Sequence, residues 1–132
     1  MAEKKKIIVV EDDPDCLFLM RKILENAGYS VDCFQDGSHL LDTENFECPD
    51  LFILDRRAGS IDGLTICKFL KAHKVCGSIP IIMTTGSAEI ERIAIEEGVD
   101  EFLSKPINTN YLLESVHVLI TRLDNHKSEN KP

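Results

Sequence analysis

The chain has 132 residues, 43% of them hydrophobic and 29% charged, which suits one compact domain with a single core. Its formal net charge of -8 argues against direct nucleic-acid binding, because phosphate backbones attract clustered lysine and arginine. No apolar stretch approaches the roughly 20 residues of a membrane span. The first residues also lack the apolar centre of a secretory signal, so we expect a cytoplasmic protein without membrane contact.

The first half of the chain alternates strand and helix patterns. An apolar run at residues 7–10 predicts the first strand. Pro14 then opens an amphipathic helix that Gly28 closes. Residues 30–34 predict a short second strand, and residues 37–44 a weak second helix.

The second half continues the alternation. The unbroken apolar run at residues 51–54 predicts a third strand that is covered on both faces. Asp62 is expected to cap a helix that ends at about His73. Residues 79–84 predict the fourth strand.

The last third of the chain predicts two more helices around a fifth strand. Ser87 is expected to cap the fourth helix, and Gly98 to end it. Residues 101–104 predict the fifth strand, and Asn108 the cap of the last helix. We expect the polar tail, residues 125–132, to fray.

Five strands alternating with five helices through short loops predict an α/β fold. Right-handed crossovers would arrange the strands in a doubly wound, five-stranded parallel sheet. The chain is interpreted as a single domain, residues 1–132, with its core at about residues 5–123.

The five cysteines are an odd number and contain no C-x-x-C pair. His73 and Cys76 would make only half a metal site. We therefore expect reduced, mostly buried thiols, while redox sensing stays open for Cys48 and Cys76 because both fall in predicted loops. The remaining cysteines are Cys16, Cys33 and Cys67.

Reactive polar residues stand directly after the apolar runs. Glu11 and Asp12 follow the first strand, Asp55 follows the third, Thr85 follows the fourth, and Lys105 follows the fifth. Because the carboxyl ends of parallel strands meet at one edge of a sheet, we expect these side chains to share one pocket.

Together these residues resemble the receiver domain of response regulators, the phosphoacceptor module of two-component signalling. The resemblance covers about residues 5–123 and implies a flavodoxin-like (βα)5 fold. It rests on four motifs in family order and spacing: Glu11-Asp12, Asp55 followed by Asp62-Gly63, Thr85-Gly86, and Lys105-Pro106.

The resemblance implies that Asp55 accepts a phosphoryl group with the help of Mg2+. A carboxylate can attack an anionic phosphoryl group only if a cation offsets the repulsion, and Mg2+ prefers hard oxygen ligands. The implied ligands are Asp12, Asp55, the main-chain carbonyl of Arg57, and Glu11 acting mostly through water. Asp13, one position further, is expected to lie at the entry to a helix.

The remaining roles also come from the resemblance. Thr85 corresponds to the switch hydroxyl, and Lys105 offers a compact positive charge to the phosphoryl group. The Lys105-Pro106 peptide is expected to be cis. Phe102 occupies the switch-aromatic position, although an ordinary core phenylalanine explains it equally well, and Gly86 is expected to leave space at the phosphoryl group.

Two features depart from the family pattern. Ala58-Gly59 stands where Met-Pro is frequent, and two cations, Arg56 and Arg57, follow Asp55 directly. If Arg57 projects over the pocket, it could alter the lifetime of the phosphorylated state. A solvated loop arginine is the competing interpretation.

Three other functions match parts of the pattern. A hydrolase of the haloacid-dehalogenase type would carry a second aspartate at the position of Arg57. A flavodoxin-like flavin or nucleotide binder would need a Gly/Ser/Thr-rich first loop, where this chain has Glu11-Asp12-Asp13. A degenerate receiver would act as a phosphorylation-independent interaction scaffold, but this chain keeps the expected site residues.

The implied partners are a sensor histidine kinase or a histidine phosphotransfer protein, and a downstream effector protein. The chain would catalyse only its own phosphorylation and dephosphorylation, and is not expected to be an enzyme otherwise. The sequence leaves open whether phosphorylation drives dimerisation. It also does not distinguish a stand-alone regulator of the chemotaxis type from a domain cut from a longer protein.

Overall fold

The structure is a computed structural model that describes residues 3–42, 46–86 and 97–129. All five predicted strands are present, and two further short strands follow the third. The strands are β1 (Lys6–Val10), β2 (Ser30–Phe34), β3 (Leu51–Asp55), β4 (Arg57–Ala58), β5 (Ile61–Asp62), β6 (Ile81–Thr85) and β7 (Glu101–Ser104). The helices are α1 (Pro14–Asn26), a 3-10 helix (Gly37–Leu41), α2 (Gly63–Ala72) and α3 (Thr109–Glu129).

A five-stranded parallel sheet forms the centre of the molecule. Its strand order is β2-β1-β3-β6-β7, with β1 between β2 and β3, and all four pairings are parallel. This order is that of flavodoxin-like folds. The predicted fold class is therefore confirmed. The two remaining strands, β4 and β5, form a separate short antiparallel pair directly after β3.

Each face of the sheet carries its own hydrophobic core. Neighbouring residues of a strand point to opposite faces, so β1 and β3 supply both cores in alternation. Helix α2 covers one face, and α1 with most of α3 covers the other. The strand residues are Ile8, Val10, Phe52 and Leu54 on the α2 face, and Ile7, Val9, Leu51 and Ile53 on the opposite face.

Asp62 and Asn108 are confirmed as helix caps, and Asp13 lies at the entry to a helix as predicted. Asp13 Oδ1 accepts the N–H of Asp15 at 2.9 Å and begins α1 ahead of Pro14. Asp62 and Asn108 cap α2 and α3 in the same way, through side-chain oxygens that accept main-chain N–H groups two or three residues on.

Two helix predictions need correction. The predicted helix at residues 37–44 is a 3-10 helix that ends at Leu41, because Gly37 and Ser38 are poor helix formers and Asp42 is extended. The predicted fraying at residues 125–132 is wrong as far as Glu129, since α3 continues to that residue. No glycine or proline interrupts it there. The predicted fourth helix, with Ser87 as its cap, lies outside the described residues.

The cysteines are not all reduced. Cys48 and Cys76 form a disulfide, with Cα atoms 5.6 Å apart, so the expected reduced state is wrong for this pair. Cys16, Cys33 and Cys67 are free thiols, as expected. The pair lies 28 residues apart in sequence and meets only because β3 and β6 are neighbours in the sheet. In the described part of the chain, no helix combines the length and apolarity that crossing a membrane would require.

Candidate functional site

Acidic residues converge at the carboxyl edge of the sheet, as the sequence predicts. One carboxylate oxygen each from Glu11, Asp12 and Asp55 lies within 4.8 Å of the other two. Lys105 reaches the same point from the end of β7. Its Nζ donates to Glu11 Oε1 at 2.7 Å and to Asp55 Oδ2 at 2.6 Å. Three carboxylates and one ammonium therefore form one cluster.

Main-chain hydrogen bonds fix the loops that carry this cluster. Arg57 N donates to Asp55 Oδ1 at 3.0 Å, so the loop after β3 orients the carboxylate. Lys105 N donates to Thr85 O at 2.8 Å, which joins the ends of β6 and β7. The Lys105-Pro106 peptide is cis, as predicted. Glu11 is held similarly, through its N–H to a carbonyl at the end of β2.

The cluster is largely shielded from water. Glu11 is 1% exposed and Asp55 is 3% exposed, whereas Asp12 lies on the surface. Burial raises the pKa of Glu11 to about 7, and the neighbouring Asp55 carboxyl acts in the same direction. Burial alone would lower the pKa of Lys105, but hydrogen bonds and charges from Asp55 and Glu11 raise it above its ordinary value.

These residues fit a hard divalent cation. With all three carboxylates ionised, the single ammonium of Lys105 leaves two negative charges in excess. Among the described residues, Glu11 Oε2 is a buried oxygen without a hydrogen-bond partner. Unpaired buried charge is costly, and oxygen-rich sites of this kind suit Mg2+. The part of the Arg57 carbonyl in such a site stays a prediction.

The structure also places the other predicted site residues. Thr85 is buried at the end of β6, beside the strand that carries Asp55. Phe102 packs in the hydrophobic core on the α2 face, in agreement with its interpretation as an ordinary core residue. Its role as a switch stays a prediction. A Cβ added to Gly86 would meet no atom within 4 Å, so there is open space here, as expected.

The two arginines after Asp55 have different environments. Arg56 Nη1 lies 2.6 Å from Asp62 Oδ2, so this side chain pairs with the aspartate that caps α2. Arg57 is exposed on the short strand β4. Of these two arginines, Arg57 is therefore the candidate for a cation near the mouth of the pocket.

Two contacts that support the loops after β3 were not predicted from the sequence. A Cβ on Gly63 would meet the main chain of Asp55, including its carbonyl carbon at 3.1 Å. Asp36 accepts the N–H groups of Ser38 and Ser60, each at 2.8 Å, and these bonds hold the pKa of Asp36 well below its usual range. The Asp62-Gly63 motif is a sequence signal for the close approach at Gly63, whereas no motif indicates the hydrogen bonds of Asp36.

Gly63→Ala is expected to destabilise the protein by about 2 kcal/mol, because the added methyl group must displace the main chain of Asp55. Gly86→Ala is the matched control and should change the free energy of unfolding by less than about 0.5 kcal/mol. Urea denaturation of both variants measures the difference. Equal stabilities would show that the close approach at Gly63 has no energetic consequence.

The chain is similar in sequence to known proteins. A sequence profile described as the response regulator receiver domain matches residues 7–117. The alkaline phosphatase synthesis transcriptional regulatory protein PhoP of Bacillus subtilis is 32% identical over 120 residues. That alignment covers 89% of this chain and 49% of PhoP. The chain spans about half the length of the curated relatives that it matches.

Solved structures agree with this result. A CheY-like response regulator receiver domain protein from Methanospirillum hungatei has a TM-score of 0.83 and 28% identity, covering 94% of this chain and 99% of its own. A second similar structure is the receiver domain of the sensor histidine kinase PA1611 from Pseudomonas aeruginosa, which is described with magnesium in its active site cleft. It has a TM-score of 0.82 and 23% identity, and the match covers 90% of this chain and 99% of the PA1611 domain. From its profile match, its relatives and its fold, the chain belongs to the family of response regulator receiver domains.

Proposed function

We propose that this chain is a phosphoacceptor receiver that takes a phosphoryl group onto Asp55 and thereby switches the binding of a partner protein. One observation carries the proposal. The buried Asp55 carboxylate contacts Lys105, and its oxygen lies close enough to carboxylate oxygens of Glu11 and Asp12 for the three to bind one cation. A structural aspartate would not require two further carboxylates beside it, because they repel it.

The proposed reaction is a phosphoryl transfer from a phosphohistidine. An oxygen of Asp55 forms a bond to phosphorus, the phosphorus–nitrogen bond breaks, and the histidine nitrogen keeps the electron pair and takes up a proton. Lys105 then holds the positive charge that attracts the phosphoryl oxygens. Thr85, at the end of the neighbouring strand, is the hydroxyl proposed to donate to one of those oxygens.

Mg2+ is the proposed cofactor, and it would supply positive charge that lowers the repulsion between Asp55 and the phosphoryl group. Glu11, Asp12 and Asp55 provide its oxygen ligands, with the Arg57 carbonyl as the fourth proposed ligand. The excess negative charge of the cluster and the unpartnered Glu11 Oε2 support this assignment. The magnesium described for the PA1611 receiver agrees with it.

The partners follow from the same chemistry. The donor is a sensor histidine kinase or a histidine phosphotransfer protein, and the receiver of the output is an effector protein. We propose a cytoplasmic protein that catalyses only its own phosphorylation and dephosphorylation. A phosphorylation-independent scaffold is the alternative, but it would not need the contacts of Lys105 with two buried carboxylates.

Incubation with a small phosphodonor tests the proposal directly. The protein is treated with acetyl phosphate in the presence of Mg2+ or of a chelator, and its intact mass is measured. We expect a gain of one phosphoryl group that depends on Mg2+ and maps to the peptide containing Asp55. An unchanged mass in Mg2+ would overturn the proposed function and favour the scaffold.

Arg57 is expected to lengthen the lifetime of the phosphorylated state, because its exposed side chain lies two residues after Asp55, where it can obstruct the hydrolytic water. Arg57→Asn should therefore lose its phosphoryl group about 2- to 10-fold faster than the parent. Lys68→Asn, which removes an exposed cation on α2, is the control. Decay rates that are the same in the parent and Arg57→Asn would remove the role.

A further inference from the structure

The disulfide lies at the end of the sheet opposite the acidic cluster. Cys48 precedes β3 by three residues and Cys76 precedes β6 by five, so the bond joins the entries of two neighbouring strands. Asp55 and Thr85 lie at the other ends of the same strands. Strands of five residues span about 16 Å, so neither sulfur contacts the acidic cluster.

We propose that Cys48 and Cys76 form a reversible redox-responsive modification site, which a peroxide closes into a clamp across the entries of β3 and β6. It gives the chain a second input that is separate from Asp55. Stable disulfides are rare in reducing compartments, where such bonds are mostly transient and sense oxidation.

Burial sets the order of the chemical steps. Cys48 is half-buried and faces the oxidant first, whereas Cys76 is 1% exposed. Peroxide converts the Cys48 thiol to a sulfenic acid and is itself reduced to water. The Cys76 thiol then attacks the Cys48 sulfur, the S–S bond forms, and a second water leaves. In total, two thiols and one hydrogen peroxide give one disulfide and two waters.

The chain holds the second thiol ready for this attack. His73 Nδ1 accepts the N–H groups of Val75 and Cys76 at 3.1 and 3.2 Å, and Gly77 N donates to His73 O at 2.8 Å. These bonds fix the turn after α2. The Cα atoms of Cys48 and Cys76 are 5.6 Å apart, within the usual range for disulfides, so the main chain accommodates the closed bond.

The clamp reinforces a contact that is already present between the two strands. Phe52 N, at the start of β3, donates to Pro80 O before β6 at 3.0 Å, and Phe46 packs edge-on against the Phe52 ring. Cys48 lies between Phe46 and β3. Closing the bond therefore restrains the loop before β3 against the loop after α2, and reduction by a dithiol returns both thiols and releases this restraint.

Cys33 and Cys67 are poor competitors for the oxidant. Burial raises the pKa of Cys67 to about 11 and that of Cys33 above its ordinary value, so both stay protonated and react slowly. Cys67 also donates its S–H to Glu97 O at 3.3 Å. Cys33→Ser is therefore a suitable control, since it removes a thiol but leaves the proposed pair intact.

Alkylation and mass measurement test the site. The reduced full-length protein is exposed to hydrogen peroxide, unfolded, alkylated with iodoacetamide and weighed, with and without a later dithiol treatment. We expect oxidation to lower the number of alkylated cysteines by two in both the parent and Cys33→Ser, and the dithiol treatment to restore both. Cys48→Ser should form no intramolecular disulfide. Protection that maps to Cys16, Cys33 or Cys67, or no protection at all, would overturn the proposal.

Thermal unfolding tests the clamp itself. A disulfide that closes a loop of this length should raise the melting temperature of the parent by about 10 °C over the reduced form. The melting temperatures of Cys48→Ser and Cys76→Ala should not respond to reductant. Of the two substitutions, Cys48→Ser should destabilise the fold less, because Cys48 is half-buried whereas Cys76 is buried. Equal melting temperatures of the oxidised and reduced parent would show that the bond clamps nothing.

Discussion

Asp55→Asn is expected to accept no phosphoryl group from acetyl phosphate, a loss of at least about 100-fold in the rate of phosphorylation. The amide keeps the size of the side chain, but it has no free carboxylate oxygen to attack phosphorus. Its carbonyl oxygen can still accept from Lys105 or from Arg57 N, so the fold should persist. The Mg2+-dependent gain of mass is the measurement.

The control for this variant is Asp32→Asn, which makes the same chemical change on β2 outside the cluster. Asp32 pairs with Lys6 at 3.0 Å and is half-exposed, so its loss should leave phosphorylation at the parental rate. Phosphorylation of Asp55→Asn at that rate would assign the acceptor to another residue. It would also leave the buried position of Asp55 without the proposed explanation.

The sequence predicts the acidic cluster well because the rule behind it is topological. Parallel strands that are linked by crossover helices must end at one edge, so the residues after each apolar run had to meet there. The structure brings Glu11, Asp12, Asp55 and Lys105 together in this way. The helix caps follow from local chemistry in the same manner, since Asp13 and its counterparts act within three residues.

The sequence does not predict contacts between residues that are distant along the chain and carry no periodic pattern. Cys48 and Cys76 meet because β3 and β6 are neighbours, but five cysteines alone allow many pairings. Asp36 bonds to Ser60 across 24 residues through a loop whose path no propensity determines. The polar residues after Leu123 favour fraying, but a helix can continue through polar residues, and α3 extends to Glu129.

Lys105→Met is expected to destabilise the protein by about 2–3 kcal/mol at pH 8 without Mg2+, because it leaves Glu11 and Asp55 without their shared cation. The estimate is below that for a fully buried ion pair, since the Lys105 side chain is 30% exposed. The control is Lys68→Met. Lys68 lies 3.4 Å from Glu97 on the surface, so its loss should cost less than about 1 kcal/mol.

The pH dependence of this effect has a definite sign. The pKa of Glu11 rises on folding from 4.5 to about 7, so the folded state holds this proton more tightly, and the resulting stability is lost as pH rises through 7. Loss of the Lys105 ammonium raises the pKa of Glu11 further. The deficit of Lys105→Met should therefore be largest at pH 8 and shrink towards pH 5. Urea denaturation across this range measures it.

Added Mg2+ distinguishes a charge effect from a packing effect in the same variant. If the cluster binds the cation through Glu11, Asp12 and Asp55, millimolar Mg2+ should restore part of the stability that Lys105→Met loses at pH 8, since a ligand that binds only the folded state stabilises it. Sodium chloride of equal ionic strength should restore much less. If the loss of stability in Lys105→Met depends on neither pH nor Mg2+, Lys105 contributes through the packing of its side chain. The three carboxylates would then not act as one charged site.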